Sequence, residues 1–332
     1  MNYYDINGNL ANIVYDIHGN IFYCEEPENT DTIVLTDLVS YYQTPTQGLV
    51  DTLNNTDDNT IAFVIVTDTH GTANKNNSQN VIRYLLKNSK ANKCFWLGDV
   101  PYDQWESIDD FNSYYEPLSN ANSQLYFTTG NHDNHYYSGG TVRNDLVTIC
   151  NNILVPKRNL TGNKEKFYYY FNDAIHKVRY IVINTAEDTD GTGSAIYVSD
   201  TQISWLKSAV QLPSSEWSIV VLSHVGINYS ESNNLSQTLA AKVINVLNET
   251  NGTIIGYFGG HMHIDKITEV NGIKNVTLLN DSCKRSGGGV YDFERVAGTE
   301  SEQAVSVVSI NLSNKAVTIH RIGAGNDMTY SY

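Results

Sequence analysis

Short apolar runs recur along the chain from residue 61 onward, and segments with helical spacing separate them. Residues 61–67 (IAFVIVT) form a continuous, β-branched run, which is typical of a strand buried on both faces. Val81, Leu85 and Leu86 then follow at helical spacing. Further strands are predicted at 93–97, 125–129, 217–222 and 253–258, and further helices at 105–118, 200–210 and 236–248. This alternation predicts an α/β fold.

Polar residues of metal-binding type follow five of the predicted strands. They are Asp68-Thr69-His70, Gly98-Asp99, Gly130-Asn131-His132-Asp133, Ser223-His224 and Gly260-His261-Met262-His263. The carboxyl ends of strands are where α/β sheets place their sites. In extended geometry, residues i and i+2 share a face, so His261 and His263 can converge on one spot. We therefore expect these side chains to meet at a single site.

The remaining strand patterns predict a second sheet. The aromatic run 167–171 and the segment 178–183 read as a strand pair, and Asn271-Gly272 and Asn314-Lys315 are turns that separate later strands. These later strands are expected to complete an antiparallel second layer. The predicted architecture is two facing mixed β-sheets flanked by helices.

The N-terminal residues follow a different pattern. Residues 4–10 (YDINGNL) recur eleven positions later as residues 15–21 (YDIHGNI), and each copy carries an Asn-Gly or His-Gly pair that favours a tight turn. We predict a β-rich appendage over 1–57 and a second domain over 58–332, because residues 51–60 are polar and rich in turn formers. The appendage is either a decorative extension or an element for self-assembly or docking.

Composition excludes several classes of protein. The 332 residues include 36 acidic and 21 basic residues, for a net charge of −15, and no Lys/Arg cluster that would track a nucleic acid. The four cysteines are widely spaced, so a disulfide framework is not expected. No signal peptide or membrane-spanning stretch is recognisable. The expected location is therefore the cytoplasm, with no membrane partner.

The residue types at the five strand ends indicate metal ions. Five of the nine histidines lie there, together with Asp68, Asp99 and Asn131. Imidazole and carboxylate without thiolate suit Mn, Fe, Zn or Ni, rather than Ca or an iron–sulfur cluster. A carboxylate can bridge two ions about 3.5–4 Å apart. We therefore expect two divalent or trivalent metal ions as the cofactors.

These motifs, in this order, resemble those of the calcineurin-like metallophosphoesterase superfamily, whose pattern is D-x-H, G-D, G-N-H-[DE], H and G-H-x-H. The resemblance covers about residues 61–322. It implies a four-layer sandwich of two sheets and flanking helices. It also implies that Asp68, His70, Asp99 and His263 hold one ion, and that Asp99, Asn131, His224 and His261 hold the second, with Asp99 bridging.

The resemblance further implies a hydrolase of phosphate esters, in which a hydroxide bridging the metals is the nucleophile. His132 would stabilise the phosphoryl oxygens or protonate the leaving group. Asp133 would orient His132. Asp281, Lys284 and Arg285 are placed at the pocket mouth from chain position alone.

Two subfamily signatures point in different directions. Gly98-Asp99-Val100-Pro101-Tyr102 is similar to the G-D-x-x-Y motif of purple acid phosphatases, where the tyrosine binds iron. Here His70 is expected to occupy that coordination position, which leaves Tyr102 beside the site or in the core. The Ser/Thr protein phosphatase motif is not met after Asp99, and the basic track of a nuclease is missing.

The predicted function is a dimetal phosphodiesterase or phosphomonoesterase acting on a small or polymeric phosphate ester. The alternative is a phage- or surface-associated attachment protein whose phosphoesterase domain trims a cell-surface phosphodiester polymer, which would place it on a virion or cell surface. The N-terminal repeat motivates that alternative. The sequence does not identify the substrate.

Overall fold

A computed structural model describes residues 12–15, 21–24, 31–71, 74–100, 114, 117–118, 124–133, 146, 148, 150–187, 196–231, 234–282 and 295–332. The helices with described bounds are α1 (Ser40–Asn54), α2 (Lys75–Asn88), α3 (Asp200–Ala209) and α4 (Gln237–Leu247). Short 3₁₀ turns lie at Leu35–Asp37 and Lys164–Lys166, and a π-helical turn at Cys150–Leu154. Among the described helices, none combines the length and apolar character needed to cross a bilayer.

The strands form one isolated pair and two large sheets. The pair is β1 (Asn12–Tyr15) and β2 (Ile21–Cys24), which run antiparallel. The strands of the first large sheet are β3 (Thr60–Val66), β4 (Ala91–Trp96), β5 (Leu125–Phe127), β13 (Ala304–Asn311), β14 (Ala316–Gly323) and β15 (Met328–Ser331). Their order is β15-β14-β13-β3-β4-β5.

The second sheet has seven described strands, in the order β11-β12-β10-β9-β8-β7-β6. They are β6 (Thr161–Asn163), β7 (Tyr168–Asp173), β8 (Val178–Val182), β9 (Ser218–Leu222), β10 (Thr253–Gly259), β11 (Lys266–Val270) and β12 (Ile273–Thr277). The neighbours β3, β4 and β5 are parallel, and so are β8, β9 and β10. The carboxyl ends of each parallel set therefore lie at one edge of its sheet.

Aromatic side chains fill the space between the sheets. The ring of Phe63 on β3 meets those of Tyr180 on β8 and Phe258 on β10 at centroid distances of 5.6 and 6.2 Å. On the other face of the second sheet, alternate residues such as Ile181 and Val221 pack against α3 and α4. This period-two division is what a strand buried on both faces requires. The predicted fold of two facing mixed sheets with helices outside is confirmed.

The first helix departs from the predicted β-rich appendage. Tyr42, Leu49, Val50 and Leu53 of α1 are buried in the same core as the six-stranded sheet. They recur at helical spacing, but Pro45 lies within the helix, and proline normally interrupts helices. Residues 31–57 therefore pack as part of the main fold. Apart from the strand pair, residues 1–30 lie outside the described part of the chain.

The later hairpins also differ from the single antiparallel layer that was predicted. β12 pairs in parallel with β10, so the β11–β12 hairpin extends the seven-stranded sheet. β13 pairs antiparallel with β3, so the β13–β14 hairpin extends the six-stranded sheet. Each hairpin thus enlarges a different sheet. A turn pattern identifies a hairpin but carries no information about which strand edge the hairpin joins.

Candidate metal centre

The candidate ligands lie on turns with an unusual backbone conformation. Asp68, His70, Asp99, His261 and His263 have φ values of 55°, 45°, 54°, 66° and 56°. Positive φ is uncommon for residues other than glycine and costs of order 1–3 kcal/mol each, so surrounding contacts must enforce it. Such strained positions are typical of functional sites.

Motif glycines allow these turns to approach one another. A Cβ atom at Gly98 would lie 2.0 Å from the backbone N of Gly130, and Gly98 itself has φ of 86°. A Cβ atom at Gly260 would lie 2.3 Å from Oδ2 of Asp68. Any larger residue would therefore push adjacent ligand turns apart. The glycines serve the packing of the site, which the motif pattern alone does not reveal.

Asp68, His70 and His263 form the first group of donors, and all three are buried. Nε2 of His263 lies 3.0 Å from Nε2 of His70 and 3.1 Å from Oδ1 of Asp68. The second carboxylate oxygen of Asp68 accepts hydrogen bonds from the backbone N of His261 and from Oγ1 of Thr67, at 2.8 and 2.6 Å. Burial alone would raise the pKa of Asp68, but the imidazoles of His224 and His263 hold it well below its ordinary value.

Asp99, His224 and His261 form the second group, and Asn131 adjoins it. Nε2 of His224 lies 3.1 Å from Oδ2 of Asp99 and 3.2 Å from Oδ1 of Asn131. Burial opposes ionisation of Asp99, yet His224 beside it lowers its pKa to about 2. The same pairing raises the pKa of His224 to about 9, because Asp99 and Asp68 outweigh the effect of burial.

The protonation pattern of this cluster fits metal ions. Nδ1 of His224 lies 2.7 Å from the carbonyl oxygen of Leu97, which only accepts, so Nδ1 must carry the proton. Its Nε2 then faces the oxygens of Asp99 and Asn131, and these acceptors need either a proton on Nε2, which the raised pKa of His224 supplies, or a metal ion in its place. A histidine whose other nitrogen donates to a carbonyl is the usual arrangement of a metal ligand.

The donor set and its spacing support the same interpretation. Within each group of three residues, the donor atoms lie within 4.8 Å of one another. Among the described residues, no hydrogen-bond partner is found for the buried Nδ1 atoms of His261 and His263. These two groups are therefore candidate sites for two ions. They place His261 and His263 in different groups, and the assignment of individual ligands stays a prediction.

His132 lies at the accessible side of the second group. Its backbone N donates to Oδ1 of Asp99 at 2.8 Å, and its Nε2 lies 3.9 Å from Oδ2 of Asp99. The imidazole is 18% exposed, whereas the side chains of Asp68 and His70 are fully buried. His132 is thus more accessible than the enclosed side chains of the first group.

The structure places Asp133 differently from the prediction. Its carboxylate accepts hydrogen bonds from the backbone N of Asp99, Val100 and Gly130, at 2.8, 3.1 and 2.7 Å. No hydrogen bond to the His132 ring is found among the described residues. Burial and the nearby Asp99 raise the pKa of Asp133 to about 7. Asp133 therefore joins two ligand turns through their backbones rather than orienting His132.

Thr67 and Leu97 contribute contacts that the sequence did not suggest. The hydroxyl of Thr67 bonds Asp68, and the carbonyl of Leu97 fixes the tautomer of His224. Thr67 adjoins the first motif, but its residue type alone does not show where the hydroxyl points. A backbone carbonyl leaves no signal in the sequence.

The prediction placed Asp281 at a pocket mouth, but the structure buries it. It is 1% exposed, its Oδ1 accepts from the backbone N of Ala304 at 3.0 Å, and its own N donates to the carbonyl of Thr67 at 2.9 Å. Its backbone thus contacts Thr67, the residue just before the first ligand turn. Tyr102, Lys284 and Arg285 lie outside the described residues.

A family model for calcineurin-like phosphoesterases matches residues 61–265. This segment holds all five motifs and both donor groups. The chain therefore belongs to the calcineurin-like phosphoesterase family, and it is a phosphoester hydrolase. No curated protein sequence matches the chain.

Solved structures share the fold at low sequence identity. A dimetal phosphatase from Danio rerio is 12% identical, with a TM-score of 0.59, and the match covers 82% of this chain and 99% of that one. GAP50 of Plasmodium, described as the anchor in the inner membrane complex, is 14% identical with a TM-score of 0.52, and the match covers 82% and 88% of the two chains. At these identities the likeness establishes the fold alone.

Proposed function

We propose that the chain hydrolyses phosphate mono- or diesters with two metal ions held at the strand ends. One ion would be held by Asp68, His70, Asp99 and His263. The other would be held by Asp99, Asn131, His224 and His261. The observation that carries this proposal is the convergence of two donor triads on adjacent buried positions.

Bound ions would polarise the phosphoryl group and supply activated water as the nucleophile at neutral pH. The protein's own part is to orient the ligands. The carbonyl of Leu97 and the hydroxyl of Thr67 hold His224 and Asp68 in fixed orientations. Ligands held in this way need no rearrangement when substrate binds.

The burial of the donor residues indicates the side from which a substrate would approach. The first triad is fully enclosed, whereas Asn131, His132 and His261 of the second region are only partly buried. We infer that the phosphoryl group docks on this second side. His132 is the group there that can donate a proton to the leaving oxygen or bind a phosphoryl oxygen.

The net charge of −15 does not oppose this function. Two divalent ions and two carboxylates leave a local charge of about +2, and bound ions dominate the field at close range. The site would attract a phosphate ester even though the whole chain is acidic.

The test uses the full chain, purified and supplied with Mn²⁺, on p-nitrophenyl phosphate and bis(p-nitrophenyl) phosphate. We expect hydrolysis of at least one ester, and a loss of about 10³-fold or more in Asp99→Asn and His224→Ala, because each removes several kcal/mol of transition-state stabilisation. Asp200→Asn is the matched control, since Asp200 forms an exposed ion pair with Lys242. Full activity in Asp99→Asn and His224→Ala would refute the proposal.

A further inference from the structure

The turn that carries His261 and His263 is fixed at both of its ends. At its beginning, the backbone N of Gly260 donates to the carbonyl of His224, and that of His261 donates to Asp68, both at 2.8 Å. At its end stands Asp265, just before β11. Its Oδ1 accepts from the backbone N of Leu279 at 3.0 Å. The conformation of this turn therefore depends on where the carboxylate of Asp265 is held.

Arg321 holds that carboxylate from the other sheet. Its Nη2 lies 2.5 Å from Oδ1 of Asp265, and its Nη1 donates to Oγ of Ser306 at 2.5 Å. Arg321 lies on β14 of the six-stranded sheet, whereas Asp265 leads into β11 of the seven-stranded sheet. The ion pair thus ties the two sheets together beside the ligand turn.

The surroundings of this pair are closely packed. The Arg321 side chain is 1% exposed. A Cβ atom at Gly325, which has φ of 96°, would lie 2.6 Å from Oδ2 of Asp265 and 2.8 Å from Cδ1 of Leu279. Only a glycine lets the chain pass this close to the carboxylate. The position of Asp265 is therefore set from three sides, by Arg321, Leu279 and Gly325.

An ion pair of this kind is weak evidence of a contribution to stability. Removing two charges from water is costly, and apolar residues of similar volume often stabilise a fold equally well. In some proteins, buried polar or ionic groups fix one geometry of the fold. Here the geometry concerns two residues with positive φ, His261 and His263, which need outside contacts to stay in that conformation.

We propose that Arg321 is a positioning residue for the metal centre, which sets the turn of His261 and His263 through its ion pair with Asp265. This inference rests on the proposed ligand roles of those two histidines. Arg321 lies beyond the family match, which ends at residue 265. The C-terminal strands of this chain thus take part in shaping its site.

The test measures metal binding rather than turnover. Metal-depleted full chain is titrated with Mn²⁺ by calorimetry, and bound metal is counted by mass spectrometry, for the parent, Arg321→Gln, Arg321→Lys and Asp265→Asn. We expect Arg321→Gln and Asp265→Asn to bind at least one ion about 10- to 100-fold more weakly, as losses beyond the ligand shell typically do. Arg321→Lys should recover part of that affinity, because it keeps the charge.

Arg179→Lys is the matched control. Arg179 is also a buried arginine, and its Nη1 donates to the carbonyls of Ala209 and Gln211 near the end of α3. The affinity of the Arg179→Lys variant for Mn²⁺ should stay within about twofold of that of the parent protein. Equal affinity in all variants, or an equal loss in Arg179→Lys, would overturn the inference. If the Arg321→Gln variant does not fold, the Mn²⁺ affinity of the Asp265→Asn variant tests the inference instead.

The outcomes also separate this inference from the proposed function. A parent protein that binds two Mn²⁺ ions without hydrolysing esters would contradict the function, while the variants still test the role of Arg321. A parent protein that binds no Mn²⁺ would overturn both.

Discussion

The two donor triads differ in their access to solvent. Asp68, His70 and His263 are all buried, and Thr67 and the backbone of His261 occupy the remaining oxygen of Asp68. Asp99 and His224 are buried as well, but His261 and the adjoining Asn131 and His132 are partly accessible. A closed coordination shell holds a metal, whereas an open one admits water or substrate. Under the proposed function, the enclosed triad would hold its ion firmly and the open one would let its ion meet the substrate.

The largest expected effect separates the two histidines of the same turn. His263→Ala should lower kcat/KM by about 10³-fold and remove one ion, because a buried ligand is lost and water cannot enter easily to replace it. His261→Ala should lower it by only about 10-fold, since solvent can fill a position on the open side. Steady-state kinetics and metal counts on both variants check this. Equal losses of kcat/KM in the two variants would contradict the proposed difference between the triads.

The next effect concerns His132. His132→Ala should lower kcat by about 10²-fold and leave two ions bound, because proton transfer or oxyanion stabilisation is lost without loss of a ligand. The measurement is kcat together with metal content. His176→Ala is the control, as His176 pairs with Asp173 and approaches the carbonyl of Asp58 before β3, at the opposite end of that strand. Loss of a metal ion in His132→Ala would assign it to the ligand set instead.

A smaller effect is expected from Asp133, which bonds the turns of both Asp99 and Gly130. Asp133→Asn should weaken Mn²⁺ binding by roughly 10-fold, because an amide cannot accept from all three backbone N–H groups. Calorimetric titration measures the Mn²⁺ affinity. The control is Asp173→Asn, which changes a carboxylate remote from these turns. If kcat fell at saturating Mn²⁺ while affinity stayed unchanged, Asp133 would instead act through His132, as the sequence had suggested.

The last effect concerns the stability of the metal-depleted protein rather than its activity, and it is a pH dependence. The pKa of His224 is about 9 in the fold, above the ordinary value of 6.5, because the carboxylates of Asp99 and Asp68 outweigh burial. Its protonation therefore stabilises the fold fully below about pH 6.5, and this contribution is lost as pH rises through 9. We expect the free energy of unfolding to fall over that window by no more than the one-proton limit, which is about 1.4 kcal/mol per pH unit. Urea denaturation should show a flatter profile in His224→Gln, and an equal slope in both would contradict the assignment.

Much of the site followed from the sequence because its residues are local to strand ends. Apolar runs predicted where β3, β4, β9 and β10 lie, and the polar residues after them are adjacent in the chain. The contacts of Asp133 and Arg321 could not be predicted in this way. They join residues 34 and 56 positions apart, and only the packing of turns and sheets decides them.

The limits of local sequence signals also explain where the fold differs from its prediction. The buried residues of α1 have helical spacing, although Pro45 lies within the helix and proline normally interrupts helices. The residue that caps α3 is Ser199, whose side chain accepts from the backbone N of Gln202, and Asp200, also a residue type that caps helices, is the first residue of the helix. Residue types restrict such local choices without deciding them.

The most direct test of the two-site arrangement is anomalous diffraction from crystals of the full chain grown with Mn²⁺. The account predicts two anomalous peaks, one bounded by Asp68, His70 and His263 and the other by Asp99, His224 and His261. Asp99 should lie between them. A single peak, or a peak that none of these six side chains contacts, would contradict it.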